Sequence, residues 1–411
     1  MPPQHVIENP SLQKKASIMI CIVRLTLINP AVALITMALF GSGASAEPSI
    51  KIGLVMPMTG TLASNGKQIV AAAKLYMQQH GDTVAGRKIE LIVRDDGTLP
   101  DMSKRITQEL LTNEKVDIIG GGITAGMTAI APLVTETKTP TVVMLSGSSA
   151  VTEKSPYFVR TSFTLEQSSV VLADWAEKNG IDKVVTVVSD FAPGHEAEIA
   201  FKQQIESHGG HVIEALRVPL QNPDFAPFLQ RAQDAKPQAL FVFVPAGQGA
   251  VFAKQFLERG LDKTGIKLIG PGDVTDDDVL ANMGDAMIGT VTAHFYSAAH
   301  PSPANKAFVE AFQAQYKYRP NFMAVSGYDG MNLIYEALRK TNGITEGDAL
   351  VAAMKGMHWE SPRGPMSIDP ITRDVVDNVY MRRVEKVNGE LYNVEFAEFG
   401  PPNKLKQAAK Q

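Results

Sequence analysis

The feature of this sequence that most limits its fold is an alternation of short apolar runs with helix-like segments. In the first half of the chain, runs such as IKIGLVMPM and VDIIGG have the apolar, β-branched composition of strands. Each is followed by a longer segment, such as GKQIVAAAKLYMQQH, whose apolar residues recur at helical spacing. This order predicts successive β-α-β units that feed a parallel sheet.

The same alternation restarts after about residue 163, which indicates a second sheet. Its strand ALFVFV is continuously apolar, as expected for a strand covered on both faces. The last third departs from the pattern, with two helices after residue 300 and then strand-like residues with a turn at Asn388-Gly389. We therefore expect an α/β fold with two Rossmann-like parallel-sheet lobes and a cleft between them.

The first 46 residues have the layout of a secretory signal peptide. Basic residues precede an apolar run, AVALITMALF, and small residues follow it up to Ala46. The apolar run is shorter than the roughly 20 residues that cross a bilayer, which argues against a membrane anchor. We expect export to the periplasm with cleavage near Ala46, and the start codon is either Met1 or Met19.

The cysteine count and the net charge argue against two classes of function. The only cysteine, Cys21, lies in the predicted leader, so the mature chain would have no disulfide and no thiol chemistry. The formal net charge is -4, and a mildly acidic exported protein is a poor candidate for nucleic-acid binding.

The stretch GGGITAG follows a predicted strand and opens a predicted helix. Its glycines fit a dinucleotide-binding fingerprint, but the acidic residue that this fingerprint requires after the next strand is missing. With Thr124 as the N-cap, its hydroxyl and the amides of Ala125 and Gly126 would instead form a site for a carboxylate. The alternative is a tight turn that binds nothing.

A serine-rich loop follows the next strand. Ser146, Ser148 and Ser149 would reach the same carboxyl edge of the sheet as Thr124, where open α/β sheets bind ligands. Several hydroxyls beside a helix N-terminus could hold a carboxylate without a countercharge. The alternative is a solvated loop.

No set of residues predicts catalysis, a metal or a cofactor. His195 lies near Asp190 in sequence, but no nucleophile motif accompanies the pair. The acidic run DVTDDDV lacks calcium-loop spacing. We expect Thr275 to cap a helix whose first turn carries Asp276, Asp277 and Asp278, where the helix dipole favours acids.

Taken in order, these segments resemble one known family over nearly all of the mature chain. IKIGLVMPMTGTLASNG, VRDDG, VDIIGGGITAG, PTVVMLSGSSAVTEKSPYFVRTS and GYDGMNLIYEAL are together similar to the periplasmic binding proteins of branched-chain amino acid ABC transporters, the leucine-isoleucine-valine-binding type. The resemblance implies a type I periplasmic binding protein fold with a three-crossover hinge, a monomer that closes on a small ligand and delivers it to a membrane permease. It implies the segments 1–46 for the leader, 47–163 plus 293–356 for lobe 1, 164–292 plus 357–400 for lobe 2, and 401–411 for a C-terminal tail.

The resemblance also implies roles for particular residues. The carboxylate-binding hydroxyl of the family falls on Thr124, with the amide of Ala125 beside it, and the second hydroxyl loop falls on Ser146 to Ser149. The aromatic residue that closes over the ligand matches Phe191. Tyr328 lies in the helix that borders the cleft, or it belongs to the core.

Departures from the family pattern bear on the ligand. The acid that pairs with an amino acid's ammonium is replaced by Gly272, and the nearest acid, Asp273, would face the other side of an extended segment. Gln248 stands in a loop where the family often has tyrosine, and Asn65 in another tyrosine position leaves room for a larger ring. We therefore expect a small hydrophobic carboxylate, such as a benzoate or phenylpropanoid derivative, with a branched-chain amino acid as the alternative. A ligand sensor and a secreted hydrolase using His195 are further alternatives.

Overall fold

The computed structural model of this protein describes residues 48–401. The predicted signal peptide, its Cys21 and cleavage site, and all but the first residue of the predicted tail lie outside the described residues. Within 48–401, no helix combines the length and the apolar character needed to cross a membrane.

The first lobe is built on a six-stranded sheet with the order β2-β3-β1-β4-β5-β6. All neighbours are parallel except β2 and β3, which form a short antiparallel pair. The strands are β1 (Ile50–Met56), β2 (Thr83–Val84), β3 (Arg87–Asp95), β4 (Ile118–Gly121), β5 (Thr141–Val143) and β6 (Phe158–Arg160).

The remaining strands follow in chain order. They are β7 (Lys183–Ser189), β8 (His211–Val218), β9 (Ala239–Phe243), β10 (Lys267–Pro271), β11 (Val291–His294), β12 (His358–Ser361), β13 (Gly364–Ile368), β14 (Val375–Val376), β15 (Val379–Val387) and β16 (Glu390–Phe399). Seven of them form the second lobe's sheet, in the order β16-β15-β11-β10-β9-β7-β8. Every residue of β9 is buried, as its continuously apolar sequence predicted.

Helices cover both sheets. They are α1 (Ala63–His80), α2 (Pro100–Glu109), α3 (Thr124–Glu136), α4 (Leu165–Lys178), α5 (Ala192–Ser207), α6 (Ala226–Asp234), α7 (Gly249–Glu258), α8 (Pro303–Tyr316), α9 (Phe322–Lys340) and α10 (Gly347–Met354). The long helices α1 and α9 pack along one another. The two predicted helices after residue 300 are thus α8 and α9, and α9 returns to the first lobe.

The last part of the described chain forms two separate β structures. β15 and β16 form an antiparallel hairpin through the predicted turn, where Asn388 and Gly389 both have positive φ values, 53° and 90°. β12, β13 and β14 form a separate three-stranded sheet. This small sheet binds the first lobe, since Trp359 Nε1 donates to Asp329 Oδ1 at 3.0 Å and Arg373 Nε donates to the Phe158 carbonyl at 3.0 Å.

Arg363 contacts three connections between strands. Its guanidinium is fully buried and donates to the carbonyls of Thr161 (2.8 Å) and Ser162 (3.1 Å) and to Asp377 (3.1 Å). Its Cζ also lies 4.3 Å from the ring centre of Phe295. These partners belong to the three connections that follow β6, β11 and β14.

Candidate functional site

A cavity lies between the lobes, at the carboxyl ends of strands from both sheets. Its volume, taken as the space open to the centre of a water-sized sphere, is about 50 Å³, which is below the roughly 300–1,000 Å³ usual for small-molecule sites. Strand ends of parallel sheets are where this fold class binds ligands. The lining residues are Leu62, Asn65, Ile123, Thr124, Leu145, Ser146, Gly147, Phe163, Leu165, Phe191, Pro193, Phe243, Pro245, Asp273 and Met323.

Two hydroxyls meet at the first-lobe wall of this cavity. Thr124 Oγ1 and Ser146 Oγ lie 2.7 Å apart. The expectation that Thr124 caps its helix is wrong, because Ile123 has the extended backbone of the capping residue (φ -64°, ψ 155°) and Thr124 is the first helical residue. The Thr124 hydroxyl is therefore not used by its own helix, and it bonds the serine of the neighbouring strand end.

The start of α3 adds backbone donors beside this hydroxyl pair. The first amides of a helix have no carbonyl partner within it, and here the amide of Met127 is the one that bonds the Ile123 carbonyl, at 2.9 Å. The amides of Ala125 and Gly126 precede it. A side chain at Gly126 would place its Cβ 2.6 Å from Ser103 Oγ, so glycine lets α3 pack closely against α2.

The other two serines of the loop do not line the cavity. Ser148 donates its hydroxyl to Glu196 of α5, and the Ser149 amide donates to the second oxygen of that carboxylate at 2.9 Å. Within this loop, Ser146 lines the cavity, whereas Ser148 and Ser149 bond the opposite lobe. Sequence reasoning did not separate these roles, because the partner carboxylate lies almost 50 residues away.

A buried arginine that sequence reasoning missed holds this loop in place. Arg160 is fully buried and donates to the carbonyls of Ser146 (3.1 Å) and Ser148, and its Nε lies 2.6 Å from Asp374 Oδ1. Burial lowers the pKa of Arg160, and the nearby carboxylates of Asp374 and Glu196 partly oppose this effect. In the sequence, Arg160 has no feature that distinguishes it from a surface arginine.

The remaining predicted site residues divide between cavity and core. Asn65 and Phe191 line the cavity, whereas Gln248 and Tyr328 are not among its lining residues. Gln248 is buried and its Nε2 donates to the Leu220 carbonyl at 3.1 Å, which fixes a loop of the second lobe. Tyr328 faces α1 and α8, with edge-to-face contacts to other aromatic rings, so it has the core role that its alternative interpretation predicted.

Asp273 reaches the cavity through a turn that the sequence did not predict. Residues Gly272–Thr275 form a 3₁₀ helix, so the assumption that Asp273 faces away along an extended segment is wrong. A Cβ atom at Gly272 would lie 2.1 Å from Arg382 Nη2 and 2.4 Å from His294 Cδ2. The position that carries an acid in amino-acid binders therefore has no room for a side chain in this chain.

The environment of Asp273 is unusual for a carboxyl group. The residue is 2% exposed, and burial raises its pKa to about 7, with Arg382 acting in the opposite direction. His294 Nε2 lies 3.7 Å from Asp273 Oδ2. Burial, together with the charges of Arg382 and Arg363, lowers the pKa of His294 well below its usual value, so this imidazole is neutral.

The acids after Asp273 are not in the first turn of a helix, so that prediction is wrong. Thr275 ends the 3₁₀ turn, and the following acids bind side chains far away in sequence. Asp276 accepts from Asn321 (2.8 Å), Asp277 from Asn393 (3.0 Å), and Asp278 from Ser64 of the first lobe (2.8 Å). These contacts, rather than a helix dipole, account for the acidic run.

The histidine considered for catalysis lies outside the cavity. His195 Nε2 and Asp190 Oδ1 are 2.7 Å apart, and both side chains are at least one-third exposed. Neither residue is among those that line the cavity. Over residues 48–401, no group of three or more histidine, cysteine or acidic side chains could hold a metal ion.

Comparison with known proteins identifies the family. A family profile described as "Periplasmic binding protein" matches residues 49–389. The chain belongs to the periplasmic binding protein family. A curated relative of this periplasmic binding protein, the Leu/Ile/Val-binding protein homolog 6 of Brucella melitensis, is 39% identical over 376 residues, covering 90% of this chain and 96% of the relative.

Two solved structures are also similar to this periplasmic binding protein. The solute-binding protein of an ABC transporter from Rhodopseudomonas palustris BisB5, in complex with 3,4-dihydroxybenzoic acid, has a TM-score of 0.85 and 62% identity, covering 87% of this chain and 99% of its own. The corresponding protein from R. palustris HaA2, in complex with p-hydroxybenzoic acid, has a TM-score of 0.84 and 41% identity, covering 88% and 100%. These matches confirm the predicted family and two-lobed fold, and all three relatives are described as binding proteins.

Proposed function

We propose that this periplasmic binding protein is the solute-binding component of an ABC importer and that its ligand is a small aromatic carboxylate, such as a benzoate or phenylpropanoid derivative. The observation that carries the proposal is the Thr124–Ser146 hydroxyl pair at the start of α3, facing a cavity walled by phenylalanines. The aromatic acids bound by the two R. palustris proteins support it.

The carboxylate would lie on the first lobe. Hydroxyls and free helix amides stabilise an anion through hydrogen bonds and the helix dipole, without a countercharge. The lining of the described cavity includes no lysine or arginine, so these neutral donors are the groups that a carboxylate would use. In this arrangement Thr124, Ser146 and the amide of Ala125 hold the anion.

The ring would lie against side chains from both lobes. Phe163 comes from the end of the first lobe's sheet, and Phe191 and Phe243 come from the second lobe, with their rings stacked at 5.9 Å between centres. Asn65 completes this wall from α1. Contacts from both lobes form together only when the cleft is closed, so the ligand would favour closure through its stronger contacts with that state.

The second candidate ligand is a branched-chain amino acid. Asp273 lines the cavity, and its carboxyl could pair with an ammonium. The name of the Brucella relative is consistent with this candidate. Against it stands the raised pKa of Asp273, about 7, because a carboxyl that is only partly ionised near neutral pH is a weaker counterion than an ordinary aspartate.

The cellular setting belongs to the same proposal. The mature protein would be a periplasmic monomer, cleaved near Ala46, that delivers its ligand to a membrane permease. From the strand pairing, we infer that lobe 1 comprises about 48–160, 303–354 and the small sheet at 358–376, and that lobe 2 comprises about 165–294 and 379–399. The chain would then cross the hinge near 161–164, 295–302 and 377–378.

The test is calorimetric titration of the mature protein after unfolding and refolding, which removes carried ligand. We expect benzoate or 4-hydroxybenzoate to bind with micromolar or lower Kd, and leucine, isoleucine and valine to bind far more weakly. Tight leucine binding without an aromatic-acid response would refute the proposal in favour of the second candidate.

A variant links this binding to the hydroxyl pair. Thr124→Val keeps the shape of the side chain and removes its hydroxyl, and we expect it to weaken aromatic-acid binding about tenfold, the loss typical of one hydrogen bond to a charged group. Thr128→Val is the matched control, because Thr128 is exposed one turn later and bonds only its own helix, at the Thr124 carbonyl.

A further inference from the structure

A residue that lines the cavity carries a buried carboxyl oxygen that receives no hydrogen bond from any residue between 48 and 401. It is Oδ2 of Asp273, a residue that is 2% exposed and lines the cavity. A buried acceptor without a donor has a cost in free energy. A ligand that brings a donor to this atom would recover that free energy.

The neighbouring residues do not supply this donor. His294 is neutral, and its Nε2 is 3.7 Å from the oxygen, too far for a hydrogen bond. The guanidinium of Arg382 donates instead to the Gly272 carbonyl (3.2 Å), the Thr292 hydroxyl and the Tyr296 carbonyl. Arg382 and His294 thus fill the space behind the turn, and neither donates a hydrogen bond to Asp273 Oδ2.

The unpaired oxygen and the hydroxyl pair come from opposite lobes. Thr124 and Ser146 follow strands of the first sheet, whereas Asp273 follows β10 of the second. All three line one cavity, so its two lobes present different hydrogen-bonding groups. The first lobe presents hydroxyls and helix amides, and the second presents an acceptor.

We propose that Asp273 accepts a hydrogen bond from a hydroxyl group on the ligand's aromatic ring, and that the protein thereby selects hydroxylated aromatic acids over unsubstituted ones. This inference rests on the proposed function, because it takes the carboxylate of the ligand to lie on Thr124 and Ser146. A ring separates the two polar groups of such a ligand, matching donors on one lobe with an acceptor on the other. Asp273 then bonds the hydroxyl group at the end of the ring opposite the carboxylate.

The experiment compares ligands that differ in a single group. The refolded protein is titrated with 4-hydroxybenzoate, benzoate and 4-fluorobenzoate, the last of which occupies the same ring position without a donor. We expect the wild type to bind 4-hydroxybenzoate about tenfold more tightly than the other two, the factor expected when a buried group without a partner gains a hydrogen bond. Asp273→Ala should bring this ratio close to one.

Two further variants distinguish binding of the carboxylate from recognition of the ring hydroxyl. Thr124→Val should weaken binding of all three acids by similar factors and leave their ratio unchanged, since it acts on the carboxylate. Asp273→Asn retains the shape and a weaker acceptor, so it should lower the ratio several-fold, and it carries the comparison if the alanine variant does not fold.

The outcomes distinguish the two proposals. If none of the three acids binds the wild type, the proposed function is wrong and this inference is lost with it. If benzoate and 4-hydroxybenzoate bind equally well, or if Asp273→Ala leaves the ratio of their Kd values unchanged, Asp273 does not bond the ring hydroxyl. The proposed function stands in either case.

Discussion

The backbone amide of Ser149 donates a 2.9 Å hydrogen bond to Glu196, and this contact joins the serine loop of the first lobe to helix α5 of the second. Ser148 donates to the other oxygen of the same carboxylate. One acidic side chain therefore connects the two lobes, two and three residues after Ser146 in the same loop. The loop that lines the cavity is also a closure contact.

Removal of this bridge should weaken ligand binding without touching the cavity. Glu196→Ala removes both acceptors, so the closed state loses contacts that the open state does not make, and we expect the ligand to dissociate several-fold faster. Stopped-flow dissociation measures this rate. Glu206→Ala on the same helix is the control, because its carboxylate pairs only with Lys202 on the surface, and an equal acceleration in both variants would contradict the bridge.

A side chain at Gly272 should destabilise the second lobe. Gly272→Ala would place a methyl group 2.1 Å from Arg382 Nη2, and the forced shift should lower the free energy of unfolding by about 1–3 kcal/mol. Urea denaturation measures the change. Gly400→Ala is the control, because a Cβ there has open space around it; equal stability of the two variants would mean that the turn at Gly272 relaxes freely.

Asp273 should give the ligand-free protein a distinctive dependence of stability on pH. Its folded pKa, about 7, is above the ordinary value of 3.8, so the folded state binds the proton more tightly than the unfolded state. The stability from this group is fully present below about pH 4 and is lost as the pH rises through 7, at about 1.4 kcal/mol for each pH unit between the two values.

The comparison with Asp273→Asn isolates this effect. The variant keeps His294 and Arg382, the titratable and charged groups beside Asp273, so their contributions largely cancel in the difference. Urea denaturation at several pH values should show the wild type losing stability relative to the variant between pH 4 and 7. A constant difference over that range would show that the pKa of Asp273 is not raised.

Loss of Arg160 should affect both stability and binding. Arg160→Met removes the ion pair with Asp374 and the guanidinium that donates to the carbonyls of Ser146 and Ser148. The Ser146 carbonyl keeps only the Ser162 hydroxyl, at 2.7 Å. We expect a loss of about 3–5 kcal/mol in the free energy of unfolding, measured by urea denaturation, and weaker ligand binding because the Ser146 hydroxyl is no longer held. Arg160→Lys should recover little, because an ammonium cannot reproduce the planar fork of donors; full recovery would indicate that charge alone matters.

The parts of the fold that could be predicted depend on local sequence. The alternation of strands and helices follows from periodicity, and the β15–β16 hairpin follows from Asn388-Gly389, a pair that adopts positive φ easily. The same local reasoning brought Thr124 and Ser146 to one sheet edge, where their hydroxyls do meet.

The missed features depend on partners that are distant in sequence. Asp277 was assigned to a helix terminus, but it binds Asn393, more than 100 residues later. Ser149 has the chemistry of a ligand-binding residue and instead bonds Glu196. Arg160 and Arg382 look like surface arginines in the sequence, and only the folded chain reveals that both are buried beneath the loops that line the cavity.

Arg363 has a consequence for how the cleft can open. Its single guanidinium bonds the first connection at Thr161 and Ser162, the third at Asp377, and lies over Phe295 of the second. If one of these three connections moved alone, it would have to break a contact with this buried guanidinium. We therefore expect the three connections to move together when the cleft opens and closes.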